Sequence, residues 1–180
     1  MNELDFIKDP SLRKTVKDSI DYTYVLFEES KKKTDNKLFE EETYRVIVLY
    51  VISVIEAILL YLYKKGGYEM TYLDYKFINT LPEAYRHENS PGSRVIVAVE
   101  KSISKTEHQI GLSDLVNFFR EQKKILTPTA KKILEINNLR NTFHLSKPRE
   151  KIVCDITQVE QALKLLVYVI QKAPKGLLVR

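Results

Sequence analysis

Arg140-Asn141-Thr142-Phe143-His144 places an arginine four residues before one of only three histidines in the chain. A guanidinium is a fixed cation that grips phosphate through two parallel hydrogen bonds. An imidazole gives or takes a proton near neutral pH. On a helix, residues i and i+4 share a face, so the pair suits phosphodiester cleavage. Cutting RNA without a metal needs a base near the ribose 2′-hydroxyl, a donor for the leaving 5′-oxygen, and positive charge at the phosphate. His144 would move the proton, Arg140 would hold the phosphate, and Asn141 would orient either through its amide. One chain brings one histidine to two proton transfers. Two chains with their pairs face to face would bring both. Each residue also has a plainer reading: Arg140 complementing a helix dipole, His144 capping a helix end.

Glu56 is the second residue of interest. It lies inside Val46 to Tyr63, a nearly continuous apolar run of membrane-spanning length. A carboxylate at the middle of a bilayer costs roughly 2.5 kcal/mol or more. The tyrosines of the run are spread along it instead of gathering at its ends. The run therefore reads as a core helix, with no membrane partner. Its carboxylate should be buried and bonded to a cation or amide, Arg140 or Asn141 by preference. Its apolar circumference exceeds what one bundle face needs, so a two-fold homodimer is expected.

These residues sit in a chain of 180 residues, long enough for one domain. The formal net charge is +5, which allows an anionic partner without requiring one. Gly and Pro number 5 and 6, which favours long helices over frequent turns. Cys154 stands alone, so there is no disulfide within the chain and no cysteine cluster for zinc. No metal or other cofactor is expected, and a reducing cytoplasm fits. The first ten residues lack the apolar core of an export signal. The eleven tyrosines mostly read as core packing.

Helical spacing predicts a first helix from Ser11 to about Lys33, with Val16, Ile20, Tyr24 and Phe27 inward. A second runs from Lys37 to about Lys65, where Gly66-Gly67 stops it. Between Tyr68 and Lys105 the period changes. Tyr68 to Ile78 is ambiguous between strand and short helix, His87 to Ser93 reads as a loop, and Arg94 to Val99 reads as a strand. This stretch reads as a small insertion of hairpin type in a single domain covering 1–180. Helices return with Ser113 as N-cap, with Thr127-Pro128 opening the next, and with a last one starting near Asp155 or Thr157. The fold class is mainly α, a bundle of four to five helices. His87 and His108 read as surface residues.

Asn138-Leu139-Arg140-Asn141-Thr142-Phe143-His144, between two helices, resembles the signature of the HEPN superfamily. Val54-Ile55-Glu56-Ala57-Ile58-Leu59-Leu60 resembles the long buried helix of those bundles. The resemblance covers mainly residues 37–65 and 127–172. Three residues separate Arg140 from His144, one fewer than the usual pattern. The resemblance implies a dimeric, metal-independent endoribonuclease acting on single-stranded RNA, with Arg140, Asn141, His144 and Glu56 at its site. It also implies a toxin or phage-defence setting, in which an antitoxin or regulatory protein would be a partner. The alternative is a HEPN-like binding, regulatory or dimerisation module without catalysis.

Overall fold

A computed structural model of the chain describes residues 3–32, 36–80, 96–143 and 154–177. Among them are five α-helices and one antiparallel hairpin. They are α1 (Pro10–Ser30), α2 (Lys37–Lys65), β1 (Thr71–Thr80), β2 (Ile96–Ser104), α3 (Leu112–Glu121), α4 (Thr127–Asn141) and α5 (Ile156–Lys172). The mainly helical class with a small hairpin is as the sequence predicts. The chain divides into a helical unit, Met1–Gly67 with Gly111–Arg180, and a hairpin unit, Tyr68–Ile110.

In the helical unit α2 is the central element. It starts at Asn36, whose side chain accepts from the Phe39 amide, and ends at Gly66. It packs against α1, α3, α4 and α5. Ile47, Val48, Val51, Ile52, Ile55, Ile58 and Leu59 are wholly buried. At about 100° per residue these positions share one face of roughly 140°, while Val46, Leu49, Ala57 and Leu60 on the remainder are half-buried and Tyr50 and Ser53 are exposed. α2 is long and apolar enough to cross a membrane, and 56% of its most apolar window is buried inside the protein.

α1 begins at Asp9, whose carboxylate accepts from Ser11 and Leu12, with Pro10 opening the helix where its missing N–H costs nothing. Its inward stripe is Val16 and Thr23, and Tyr24 is 44% exposed. The predicted stripe is therefore one residue off at its third position. Thr23 fits because its hydroxyl donates to the Ser19 carbonyl, satisfying a buried polar atom locally. Before α1, Leu4, Phe6 and Ile7 are buried. The Tyr61 hydroxyl on α2 receives the Lys8 amide and donates to the Phe6 carbonyl, fastening this segment.

α3 starts two residues earlier than Ser113 as N-cap would place it. Gly111 is the N-cap residue, and the Asp114 carboxylate accepts its amide. Ser113 instead accepts a hydrogen bond from the buried Asn137 on α4. α5 has Asp155 at its N-cap, paired reciprocally with Gln158. Leu163, Leu166, Val169 and Ile170 face the core.

The hairpin unit resolves the ambiguous stretch as strand. Thr71 pairs with Ser104 and the register runs to Phe77 opposite Ala98, with a bulge before Asn79 opposite Val97. β2 reaches Ser104, five residues past the predicted Val99, because Glu100 to Ser104 find partners in Tyr75 to Thr71. Arg94, Val95 and the predicted loop with His87 lie outside the described residues. Tyrosines are less often core than predicted: Tyr44 and Tyr63 are buried, but Tyr22, Tyr24, Tyr50, Tyr72 and Tyr75 are exposed.

The packing makes α2 the most mutation-sensitive element. Ile55→Ala should cost about 2–5 kcal/mol of unfolding free energy in urea titrations. Ser53→Ala, on the exposed strip of the same helix, should stay within about 0.5 kcal/mol of the parent.

Candidate functional site

The site grows out of the point where α2, α3 and α4 meet. Gly111 has no side chain with which to cap α3, so the Leu112 amide needs an acceptor from elsewhere. Glu56, one-third along the apolar face of α2 from its C-terminal end, supplies it: Oε1 accepts from Leu112 N at 2.9 Å. Its other oxygen, Oε2, accepts from Arg140 Nη1 at 2.9 Å. The carboxylate thus ties three helices together. A negative charge at the α3 N-terminus also complements that helix's dipole. Glu56 is 27% and Arg140 30% exposed in their side chains. The carboxylate is half-buried at the edge of the core, short of the full burial expected for it. The expected partner, Arg140, is the observed one, and the Leu112 amide is a second partner that the sequence offered no way to anticipate.

Arg140 comes from the last turn of α4. The helix stops at Asn141, and Asn141 is exposed. Thr142 explains the stop: its hydroxyl and its amide both donate to the Leu139 carbonyl, at 2.7 and 3.0 Å. Such side-chain bonding competes with helix continuation. The Phe143 amide then bonds the Arg140 carbonyl at 3.1 Å, a tighter turn. The helix therefore ends at Asn141, three positions before His144 in the chain. His144 itself lies outside the described residues.

Reasoning from sequence missed Arg45. Its guanidinium lies over the Phe143 ring, 5.7 Å from the centroid, and pairs with Glu42 at 2.6 Å. The side chain is only 14% exposed, and Nε is buried with no hydrogen-bond partner among the described residues. Arg45 precedes the apolar run of α2 by one residue. That is where a long charged side chain can lay its stem along buried surface. The contact anchors the residue immediately before His144, so a second cation stands beside the segment that carries the candidate proton donor.

Cys154 is fully buried. Burial pushes its thiol up to about 12, against the opposing pull of Arg45, with Asp155 and Glu41 adding to the rise. A neutral buried thiol is no nucleophile. Burial, with the hydrogen bond to Glu40 second, likewise pushes the Tyr44 phenol up to about 12. Among the described residues no three His, Cys, Asp or Glu side chains gather in a way that could hold a metal ion. His108 is exposed, and His87 lies outside the described residues.

Two outcomes follow from this geometry. Glu56→Ala should strip both Arg140 and Leu112 of their acceptor and cost about 1–3 kcal/mol, with Glu56→Gln losing less because an amide oxygen still accepts. A double-mutant cycle with Arg140→Ala should give a coupling of about 0.5–3 kcal/mol, and independent, additive losses would mean the two groups do not act together. The thiol shift has a definite sign. A thiol of ordinary value near 9.0 ionises in the unfolded chain while the folded one stays neutral. Its contribution is complete below pH 9 and is lost as the pH rises toward 12. Chemical denaturation along that range should show stability falling, with Cys154→Ala reducing the slope.

Compared with family models, curated proteins and solved structures, the chain matches none.

Proposed function

We propose that this chain is a HEPN-like, metal-independent endoribonuclease of single-stranded RNA, working in the cytoplasm as a homodimer, with Arg140 and His144 as its reactive pair. The observation that carries this reading is the anchored arginine. Arg140 is held by Glu56 through one of its five N–H donors at a partly exposed helix end. A guanidinium fixed in this way is oriented before a phosphate arrives, which lowers the ordering cost of binding it. Asn141, the next residue, is exposed, and in this reading its amide contacts the same phosphate or orients His144. Glu56 serves as a positioning residue. It touches no substrate in this scheme.

In the reaction, His144 takes the proton from the ribose 2′-hydroxyl as that oxygen attacks the phosphorus. Arg140 balances the charge that grows on the phosphate oxygens. The P–O5′ bond breaks, and the leaving oxygen receives a proton from the His144 of the second copy. The products are a 2′,3′-cyclic phosphate and a 5′-hydroxyl.

The second reading is a HEPN-like binding or regulatory module with no catalysis. The same ion pair favours it, since Arg140 has a structural task in joining α4 to α2. Here the Arg140 surface binds an anion and nothing is cut. A toxin or phage-defence role, with an antitoxin or regulatory partner, belongs to the first reading.

Purified protein should cleave single-stranded RNA in EDTA and leave DNA intact, because DNA lacks the attacking hydroxyl. His144→Ala should abolish cleavage with the circular dichroism spectrum unchanged. Arg140→Lys should impair it strongly, because a point charge cannot replace the bidentate fork. RNA left uncut across pH 6–9, with binding retained and lost on Arg140→Ala, would select the binding module.

A further inference from the structure

The hairpin unit has an uncapped strand. Among the described residues the sheet contains β1 and β2 alone, so β1 has one edge on β2 and one edge with no strand on it. Leu73, Tyr75 and Phe77 along β1 are 53%, 59% and 56% exposed. Two-stranded hairpins are marginal in water, and an open apolar edge invites another strand. Charge argues against a nucleic-acid strand as occupant. The described residues 68–80 and 96–110 carry Glu69, Asp74, Glu100 and Glu107 against Lys76, Lys101 and Lys105, a net of 3 − 4 = −1.

The order of residues on β1 argues for a second copy of the same strand. Read outward from Tyr75 in both directions, Asp74 mirrors Lys76, Leu73 mirrors Phe77, and Thr71 mirrors Asn79. We propose that the open edge of β1 pairs antiparallel with the same edge of a second copy, about a two-fold axis at Tyr75, to make a four-stranded sheet. Asp74 then lies opposite the partner's Lys76, and Lys76 opposite the partner's Asp74. Leu73 lies opposite the partner's Phe77 twice over. One strand thus supplies both halves of an isologous interface.

The hydrogen-bond phase of the hairpin agrees with this register. The Lys105 amide bonds the Met70 carbonyl at 2.8 Å. In an antiparallel ladder such bonded pairs alternate with unbonded ones. The pairs Tyr72 with Ile103, Asp74 with Lys101 and Lys76 with Val99 therefore bond across to β2. The backbone groups of Leu73, Tyr75 and Phe77 are turned to the open edge, where a two-fold at Tyr75 needs them. Asp74 and the partner's Lys76 then fall on a narrow, unbonded pair, where side chains stand closest. Centring on Asp74 or Lys76 instead would set like charges opposite each other and use backbone groups already bonded to β2. The bulge beyond Phe77 marks the end of the flat stretch.

This inference does not rest on the nuclease reading, and RNA cleavage plays no part in its test. Sedimentation velocity of the full chain at micromolar concentration should show a dimer. Asp74→Lys and Lys76→Asp each set like charges opposite one another at two places and should weaken dimerisation by at least about tenfold. The double exchange, Asp74→Lys with Lys76→Asp, should restore it. Tyr75→Cys in a Cys154→Ala background should oxidise to a symmetric interchain disulfide, since bonded pairs have Cα atoms about 5.5 Å apart. A parent chain that stays monomeric overturns the proposal, whatever RNA or foreign protein it captures on this face. So does a dimer that ignores both single reversals, a double exchange that fails to restore it, or the absence of the Tyr75→Cys crosslink.

Discussion

A single carboxylate on an otherwise apolar helix organises this protein. Glu56 would be a liability in the core if it lacked partners, because an unpaired charge away from water costs several kcal/mol. Its two oxygens go to two different helices: one to the first amide of α3, the other to the guanidinium at the end of α4. Apolar packing of α2 against its four neighbours supplies the bulk of the stabilisation, but it has little directional content. The carboxylate adds direction. It sets where α3 begins and which way the last turn of α4 points, and so it sets the orientation of Arg140.

The helical frame could be read from the sequence because its signals were redundant. α2 has a long apolar run and a Gly-Gly stop, and its predicted limits are the observed ones. α4 has Thr127-Pro128 at its start and apolar residues at helical spacing up to Leu139. Where one signal stood alone, reading failed. Ser113 is a strong capping residue, yet α3 is capped at Gly111, because the acceptor for Leu112 comes from a residue 56 positions away. Tyr24 fits an apolar stripe, yet Thr23 is the buried residue, because a local hydroxyl-to-carbonyl bond lets a polar side chain go inside. The strand register of the hairpin required both partners to be known at once.

At the candidate site the same distinction holds. The Glu56–Arg140 pair could be inferred because a lone charge in an apolar run demands a counter-charge. Arg45 could not, because its significance lies in standing against Phe143 across about a hundred residues of chain, and nothing local marks it. The combination is informative. Two arginines, one bonded to Glu56 and one lying over Phe143, bracket the short turn that leads out of α4. Positive charge around that turn thus comes from two different helices, and a change in either helix would be felt there.

The order of elements has a consequence for the protein's birth. α2 is complete at Lys65, but α5, which covers one of its sides, begins only at Ile156, 156 − 65 = 91 positions later. At a synthesis rate of about 5–20 residues per second, the gap lasts on the order of five to twenty seconds. During that interval the side of this 29-residue, largely apolar helix that α5 will cover has no cover from it. Such a segment resembles the signals that targeting machinery delivers to a membrane. Glu56 again acts against this, since its insertion cost of about 2.5–3.5 kcal/mol lowers the chance of partitioning into lipid. The residue that aligns the finished bundle thus also disfavours transfer of the nascent helix into lipid.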